Sequence, residues 1–180
     1  DFVREYANGV PVREQEDKDG DGRFELATRY EAGQPVSSEA DKNADGKPDV
    51  MVEYRAGKRA IQREDRNGDG KFDLVTTFGP DGKGGRVEED TDGDGRAETV
   101  SYLEGDAVVR TEKDRDGDGK PDVRVTFRDG KPVRTEQDDD YDGSFEKAVA
   151  CHESPEYLEA AAHRKKDGAG ELEIVIVESI

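Results

Sequence analysis

The chain has one cysteine, two histidines and no tryptophan among its 180 residues. The single cysteine, Cys151, excludes an internal disulfide, and no cysteine or histidine cluster provides a site for a soft metal. Only 31% of the residues are hydrophobic, and no apolar run is long enough to cross a membrane. We therefore expect no direct membrane insertion, and too few apolar side chains for folding to rest on a conventional core alone.

Positive charge is also scarce. The chain has 28 lysines and arginines against 46 aspartates and glutamates, which gives a formal net charge of −18. This acidity disfavours a nucleic acid as a partner. Six bound divalent cations would lower the net charge from −18 to −6, a value suited to a compact folded domain.

Many of the acidic residues lie in a nine-residue sequence motif that occurs six times. Each copy fits D-x-[DN]-x-D-G-x-x-[DE], and successive copies begin 24 or 25 residues apart. We number the copies loop 1 (17–25), loop 2 (41–49), loop 3 (65–73), loop 4 (90–98), loop 5 (114–122) and loop 6 (138–146). Such periodicity indicates a repeat array, which we assign to residues 1–150.

Each loop offers oxygen ligands in an order that suits a calcium ion. Positions one, three and five carry side-chain oxygens, position six is a glycine that permits a sharp turn, position seven offers a carbonyl and position nine an acid. The asparagines at position three of loops 2 and 3 make those loops the weaker predicted binders, and magnesium is the realistic competitor. The sequence predicts up to six calcium ions, with these ligands: Asp17, Asp19, Asp21, Arg23 and Glu25; Asp41, Asn43, Asp45, Lys47 and Asp49; Asp65, Asn67, Asp69, Lys71 and Asp73; Asp90, Asp92, Asp94, Arg96 and Glu98; Asp114, Asp116, Asp118, Lys120 and Asp122; Asp138, Asp140, Asp142, Ser144 and Glu146.

The acid at position nine separates these loops from the helix–loop–helix calcium site, whose glutamate belongs at position twelve. There this chain has residues such as Thr28 and Val52. The loops instead resemble those of FG-GAP/VCBS repeats, known from integrin α-like propellers and bacterial surface proteins. The spacing of their acidic residues also resembles that of thrombospondin type-3 repeats. The resemblance implies metal binding and an extracellular setting. The 24-residue period departs from the longer FG-GAP unit and does not favour a propeller.

Between loops, the sequence predicts two strands per repeat. Residues 72–78 alternate with period two, and a second extended segment precedes each loop. The expected fold is an all-β array of antiparallel hairpins, a twisted or superhelical meander with every loop on one sheet edge; a closed propeller is the alternative. Three dipeptides suit tight hairpin turns: Asn8-Gly9, Ala56-Gly57 and Asp129-Gly130.

The two ends of the chain depart from the repeat. Asp1 precedes Tyr6 and Gly9 as the position-nine acids precede an aromatic and a glycine, so we expect an array truncated at its N-terminus. Residues 151–180 combine a predicted helix after Ser154-Pro155 with an alternating strand, which we interpret as a small C-terminal α/β cap. The alternative is that this strand pairs with another chain.

No catalytic constellation stands out, because the acid spacing is explained by metal ligation and Cys151 and His152 lack an orienting acid. We therefore expect a non-enzymatic protein. The favoured function is a calcium-stabilised structural or adhesion module of a larger secreted or surface protein, on a bacterial outer surface, that folds when calcium binds. The alternative is a calcium-dependent recognition module for a polysaccharide or protein partner.

Overall fold

The computed structural model describes residues 1–139 together with residues 141, 143 and 145. Every regular element in this part of the chain is a β-strand, and no helix occurs there. The strands are β1 (Phe2–Ala7), β2 (Val10–Glu16), β3 (Leu26–Glu31), β4 (Gln34–Ala40), β5 (Val50–Arg55), β6 (Lys58–Glu64), β7 (Leu74–Thr77), β8 (Gly85–Glu89), β9 (Thr99–Glu104), β10 (Ala107–Lys113), β11 (Val123–Arg128) and β12 (Lys131–Gln137).

The strands form one sheet in sequence order from β1 to β12, and every pairing between neighbours is antiparallel. Among the described residues β1 and β12 are the two edge strands, so this part of the chain forms an open sheet and not a closed propeller. The predicted all-β hairpin meander is confirmed. The predicted cap at 151–180 lies outside the described residues.

Tight turns close the hairpins at one end of the strands, which we call the turn edge of the sheet. Asn8 and Gly9 have φ of 52° and 78°, and Asp129 and Gly130 have 53° and 72°. Two consecutive positive φ angles match the right-handed twist of the flanking strands, as in a type I′ turn. The predicted turn at Ala56-Gly57 has the same geometry, with φ of 50° and 73°.

The hairpin β7–β8 differs from the others. β7 ends at Thr77, and a longer turn runs to Gly85, so the strand is shorter than the alternation over 72–78 predicted. Phe78 still donates its N–H to the Ala60 carbonyl at 2.9 Å, and Gly79 and Lys83 then close the turn. The extra residue of the 25-residue repeat therefore lies in this hairpin turn, at the end of the strands opposite the acidic loops.

A β-bulge recurs in the two-residue hairpins. In β1–β2 the pairing passes from Glu5↔Arg13 to Tyr6↔Pro11, which leaves Val12 as the extra residue. The same shift places Pro35 opposite Tyr30 and Pro132 opposite Phe127. A proline cannot donate to a strand ladder and is tolerated in a sheet at bulges. The bulge explains how Pro11 and Pro35 occur in β2 and β4, which have neighbours on both sides.

The sheet is a single layer with little core. Its buried hydrophobic side chains are Val52, Ala60, Leu74 and Val123, and none of the large side chains described is fully buried. The extensive contacts of each strand are with its neighbours in the sequence, and no second layer covers either face among the described residues. No helix in this part of the chain could span a membrane.

One face of the sheet carries a network of opposite charges. Arg124 contacts Glu112 at 2.9 Å, Arg63 contacts Glu53 and Arg86 contacts Glu88 at 3.0 Å. Arg110 also lies 3.9 Å from the ring centroid of Tyr102, whose hydroxyl donates to Glu112. Solvent-exposed pairs of this kind contribute about 0–1 kcal/mol each. They cover the sheet face but do not replace a hydrophobic core.

Candidate metal centres

Loops 1 to 5 and the described residues of loop 6 lie at the ends of the strands opposite the hairpin turns, which we call the loop edge of the sheet. Each of loops 1 to 5 connects an even-numbered strand to the next odd-numbered strand, from β2–β3 through β10–β11, and loop 6 follows β12. Because consecutive strands are paired antiparallel neighbours, successive loops are two strands apart. Strand spacing of about 4.8 Å then places neighbouring loops roughly 10 Å apart along the edge.

Inside loops 1 to 5, side-chain oxygens accept hydrogen bonds from backbone N–H groups that come later in the same loop. In loop 5 Asp116 accepts the N–H of Asp118 at 3.0 Å, Asp118 accepts that of Lys120 at 2.7 Å, and Asp114 accepts that of Gly119 at 2.7 Å. The same three bonds recur in loops 1 to 4 at 2.7–3.1 Å. Gly119 has a φ of 90°, a conformation that side chains other than glycine rarely adopt. The backbone therefore orients the side chains at positions one, three and five of loops 1 to 5.

The acid at position nine closes the loop from the other side. Glu25 accepts the N–H of Lys18 at 2.6 Å, Glu98 accepts that of Thr91 at 2.6 Å, and Asp122 accepts that of Arg115. Each of these carboxylates thus reaches back to position two of its own loop. Asp122 is 2% exposed and Asp49 is 7% exposed. Such burial is costly for an unpaired charge and favours a cationic neighbour.

Carboxylate oxygens converge in three loops. Asp17, Asp19, Asp21 and Glu25 in loop 1 each contribute an oxygen within 4.8 Å of the others, as do Asp90, Asp92, Asp94 and Glu98 in loop 4 and Asp114, Asp116 and Asp122 in loop 5. These clusters can hold a metal ion. Asp118 of loop 5 is not in its cluster; one of its oxygens lies 3.5 Å from the Lys120 ammonium.

Loops 2 and 3 have the same backbone pattern with a weaker ligand set. Asn43 uses its oxygen to accept the N–H of Asp45 at 2.8 Å and its amide group to donate to Asp49 at 3.0 Å. Asn67 accepts the N–H of Asp69 at 2.9 Å. In loop 6, Asp138 is 3% exposed and accepts the N–H of Gly143. The other predicted ligands of loop 6, Asp140, Asp142, Ser144 and Glu146, lie outside the described residues.

The donors present fit a hard cation such as calcium. All of them are oxygens, and one oxygen of Asp41 is buried with no hydrogen-bond partner among the described residues. No described residue donates to the position-seven carbonyls of Arg23, Lys47, Lys71 or Arg96, which remain open as ligands. An oxygen-only donor set suits calcium or magnesium and disfavours zinc or copper.

Asp17 is ionised in its site. Burial by itself raises the pKa of this carboxyl, which is 4% exposed, but the N–H groups of Gly20 and Gly22 donate to it at 2.6 and 3.0 Å. These hydrogen bonds favour the charged form, and the net effect lowers the pKa of Asp17 below its usual value. The position-one acid is thus held as a carboxylate, the form that binds a cation.

Asp1 has the structural role of a position-nine acid. In every loop the N–H of position one donates to the carbonyl of the position-nine acid one repeat earlier, at 2.7–2.9 Å. Asp17 makes this bond to Asp1 at 2.7 Å, as Asp41 does to Glu25 at 2.9 Å. Asp1 therefore makes the same backbone contact as the position-nine acids, in agreement with its spacing from Tyr6 and Gly9 in the sequence.

Sequence reasoning missed the side chains of the position-seven residues. They were predicted to act through their carbonyls, yet Arg96 also donates to the carbonyl of Gly117 at 2.7 Å and Lys71 to that of Gly93 at 2.8 Å. Both acceptors are at position four of the following loop. The available signal was the recurrence of a basic residue at position seven of loops 1 to 5. Their partners, 21 or 22 residues away, depend on the strand register.

Comparisons with known proteins identify no family. No protein-family model and no curated protein matches this chain. Among solved structures, the chain is similar to part of the crystal structure of accessory secretory protein 1,2 and 3 in Streptococcus pneumoniae. The identity is 19% over 49% of this chain and 19% of that chain, with a TM-score of 0.35. It is also similar to a structure of TarM, at 12% identity over 74% of this chain and 21% of that chain, with a TM-score of 0.22. Likeness at these TM-scores supports no statement about activity.

Proposed function

We propose that this chain is a calcium-stabilised β-ribbon, a structural or adhesive module of a larger secreted or surface protein on a bacterial outer surface. The observation that supports it best is the combination of a single-layer sheet with a row of acidic loops along one edge. A sheet that buries four hydrophobic side chains among the described residues has little apolar stabilisation of its own. Ion binding at the edge is the available source of further stability.

Charge supports the same proposal. The acidic loops bring several carboxylates within 4.8 Å of one another, and the whole chain has a net charge of −18. This repulsion opposes folding until cations bind. An ion that binds the folded loops and not the unfolded chain stabilises the fold by mass action.

Calcium is the proposed ion because of ligand number and concentration. Each loop offers up to five protein oxygens, most of the six to eight that calcium prefers, whereas magnesium demands a rigid octahedral shell and keeps several waters. Extracellular modules bind calcium with dissociation constants of about 0.1–1 mM, in the range of calcium outside cells. The module would then be largely unfolded inside the cell and fold after export.

The proposal is tested by far-UV circular dichroism and thermal melts of the chain in excess chelator, in about 2 mM calcium and in about 2 mM magnesium. We expect strand signal and a cooperative melt in calcium, weaker order in magnesium and little order in chelator. A cooperative melt at the same temperature in chelator and in calcium would show that the ions do not stabilise the fold, and would refute the proposal.

A further inference from the structure

Side chains from each loop extend across to the next loop along the edge. At position seven, Arg23 donates to the Ala44 carbonyl of loop 2 at 3.2 Å, and Lys71 and Arg96 make the corresponding bonds to loops 4 and 5. At the other two junctions, Lys47 lies over Gly70 of loop 3 and Lys120 lies over Gly143 of loop 6. The position-seven side chain of every loop from 1 to 5 thus contacts its successor.

The two ends of this link belong to different candidate ion sites. The carbonyl of position seven is a predicted ligand of its own loop. The side chains of Arg23, Lys71 and Arg96 hold position four of the next loop, and those of Lys47 and Lys120 lie at its position six. In loops 4 and 5 the N–H of position four donates to the position-one carboxylate: Gly93 to Asp90 at 2.7 Å and Gly117 to Asp114 at 2.8 Å. From loop 3 to loop 4 and from loop 4 to loop 5, the contacts therefore run from one candidate ligand set to the next through a single side chain.

We propose that the basic side chains at position seven couple neighbouring loops, so that occupation of one loop by calcium favours occupation of the next. The inference rests on the proposed calcium-dependent function. An ion that orders the position-seven carbonyl also orders the side chain attached to it. That side chain then holds the next loop in the conformation that presents its position-one carboxylate, which lowers the ordering cost of the second ion.

Direct electrostatics acts in the opposite direction. Two divalent ions roughly 10 Å apart repel each other, even where water and carboxylates screen most of the force. Without the links, repulsion opposes the binding of successive ions. Folding that is linked to calcium binding steepens the curve of every variant that folds with calcium, so the coupling is measured by the difference in slope between variants that keep the links and variants that lack them.

The chain offers a matched control at position two of the loops. Lys18, Lys42 and Arg115 lie on the same edge, and no side-chain hydrogen bond or ion pair of theirs occurs among the described residues. The coupling variant carries Arg23→Gln, Lys71→Gln and Arg96→Gln. The control variant carries Lys18→Gln, Lys42→Gln and Arg115→Gln, which removes the same number of positive charges from the same loops or their neighbours.

The experiment measures bound calcium per chain against free calcium by equilibrium dialysis of the whole chain, with circular dichroism on the same samples. We expect a Hill slope above one for the wild type and the control variant, and a lower slope for the coupling variant at unchanged total capacity. Each lost hydrogen bond is expected to weaken the coupling between two loops by about two- to tenfold. Lys71→Arg should keep the wild-type slope, because arginine makes the same link at positions 23 and 96.

The outcomes separate this inference from the proposed function. A wild type that binds calcium with a slope of one, or two triple variants with equal slopes, would overturn the coupling and leave the calcium module intact. A wild type that binds no calcium would overturn both. If the coupling variant does not fold in calcium, the single substitution Lys71→Gln is compared with Lys71→Arg, and equal slopes for this pair overturn the coupling.

Discussion

Replacing Asp122 by asparagine should change stability in opposite directions with and without calcium. Asp122 is 2% exposed, and one of its oxygens lies within 4.8 Å of oxygens from Asp114 and Asp116. Asparagine keeps an oxygen that can accept the N–H of Arg115 but removes one negative charge. The substitution therefore relieves repulsion when no cation is bound and weakens the ligand set when calcium is present.

Both effects can be estimated from the geometry. Two unit charges 4.8 Å apart repel by about 1 kcal/mol in water and by about 3.5 kcal/mol at an effective dielectric constant of 20. Asp122 has two such neighbours and is itself nearly buried, so the value in water is a lower bound, and we expect D122N to gain about 2 kcal/mol or more in chelator. A loop with a dissociation constant of 0.1–1 mM contributes about 0.6–1.8 kcal/mol at about 2 mM calcium, and D122N should lose most of that.

The assay is urea unfolding of the wild type and variants in chelator and in calcium, with an osmolyte added where the chelated chain needs it to fold. Asp129→Asn is the control. Asp129 follows β11 at its turn end, whereas Asp122 precedes β11 at its loop end, and the φ of 53° at Asp129 suits asparagine. We expect D129N to stay within about 0.5 kcal/mol of wild type in both conditions. A D122N effect of the same sign in both conditions would refute the reasoning.

Three further predictions concern other parts of the fold. Gly85→Ala should destabilise the protein by about 2 kcal/mol or more in urea unfolding, because φ at this position is 109° and a Cβ would collide with the Thr77 carbonyl. Tyr30→Phe should cost about 0.5–1.5 kcal/mol at neutral pH, because it removes the 2.7 Å hydrogen bond to Glu14. That bond raises the pKa of Tyr30, so its contribution is complete below the ordinary tyrosine pKa and is lost as pH rises through the raised value. Asn67→Asp should raise the calcium affinity of loop 3 in calorimetric titration, because it adds a charged ligand.

Each has its own control. Gly82→Ala in the same turn meets its nearest atom at 3.4 Å and should cost less than G85A; equal losses would contradict the proposed collision. Alkaline titration of tyrosine absorbance should show one high-pKa component in the wild type that is absent in Y30F. For loop 3, N67D should lower stability in chelator while it tightens calcium binding, and unchanged affinity would show that Asn67 is not a ligand.

Local chemistry explains why the loops and turns were predictable from the sequence. Within a loop the hydrogen bonds join residues two to seven positions apart, as from Asp21 to Asp19 or from Lys18 to Glu25. The turn at Asn8-Gly9 is specified by two residues that tolerate positive φ. Hydrogen bonds over so few residues follow from residue identity and spacing, so a repeated sequence motif predicts a repeated loop conformation.

The prolines and bulges were not predictable in the same way. Pro35 lies in β4, and from sequence alone a proline argues against a strand with neighbours on both sides. Only the register, with Pro35 opposite Tyr30 and Val36 as the extra residue, shows how the ladder accommodates it. A bulge depends on how two strands align, which the order of residues within one strand does not specify.

The sequence alone determined the period, the ligand types and the alternation of turn and loop, because each depends on residues close together in the chain. Only the tertiary structure decided that the sheet is open and one layer thick, and that Arg23 reaches Ala44 in the following loop. Those features depend on strand pairing, which brings residues 21 positions apart into contact. Contacts between repeats are set by the geometry of the sheet, and one repeat read by itself cannot contain them.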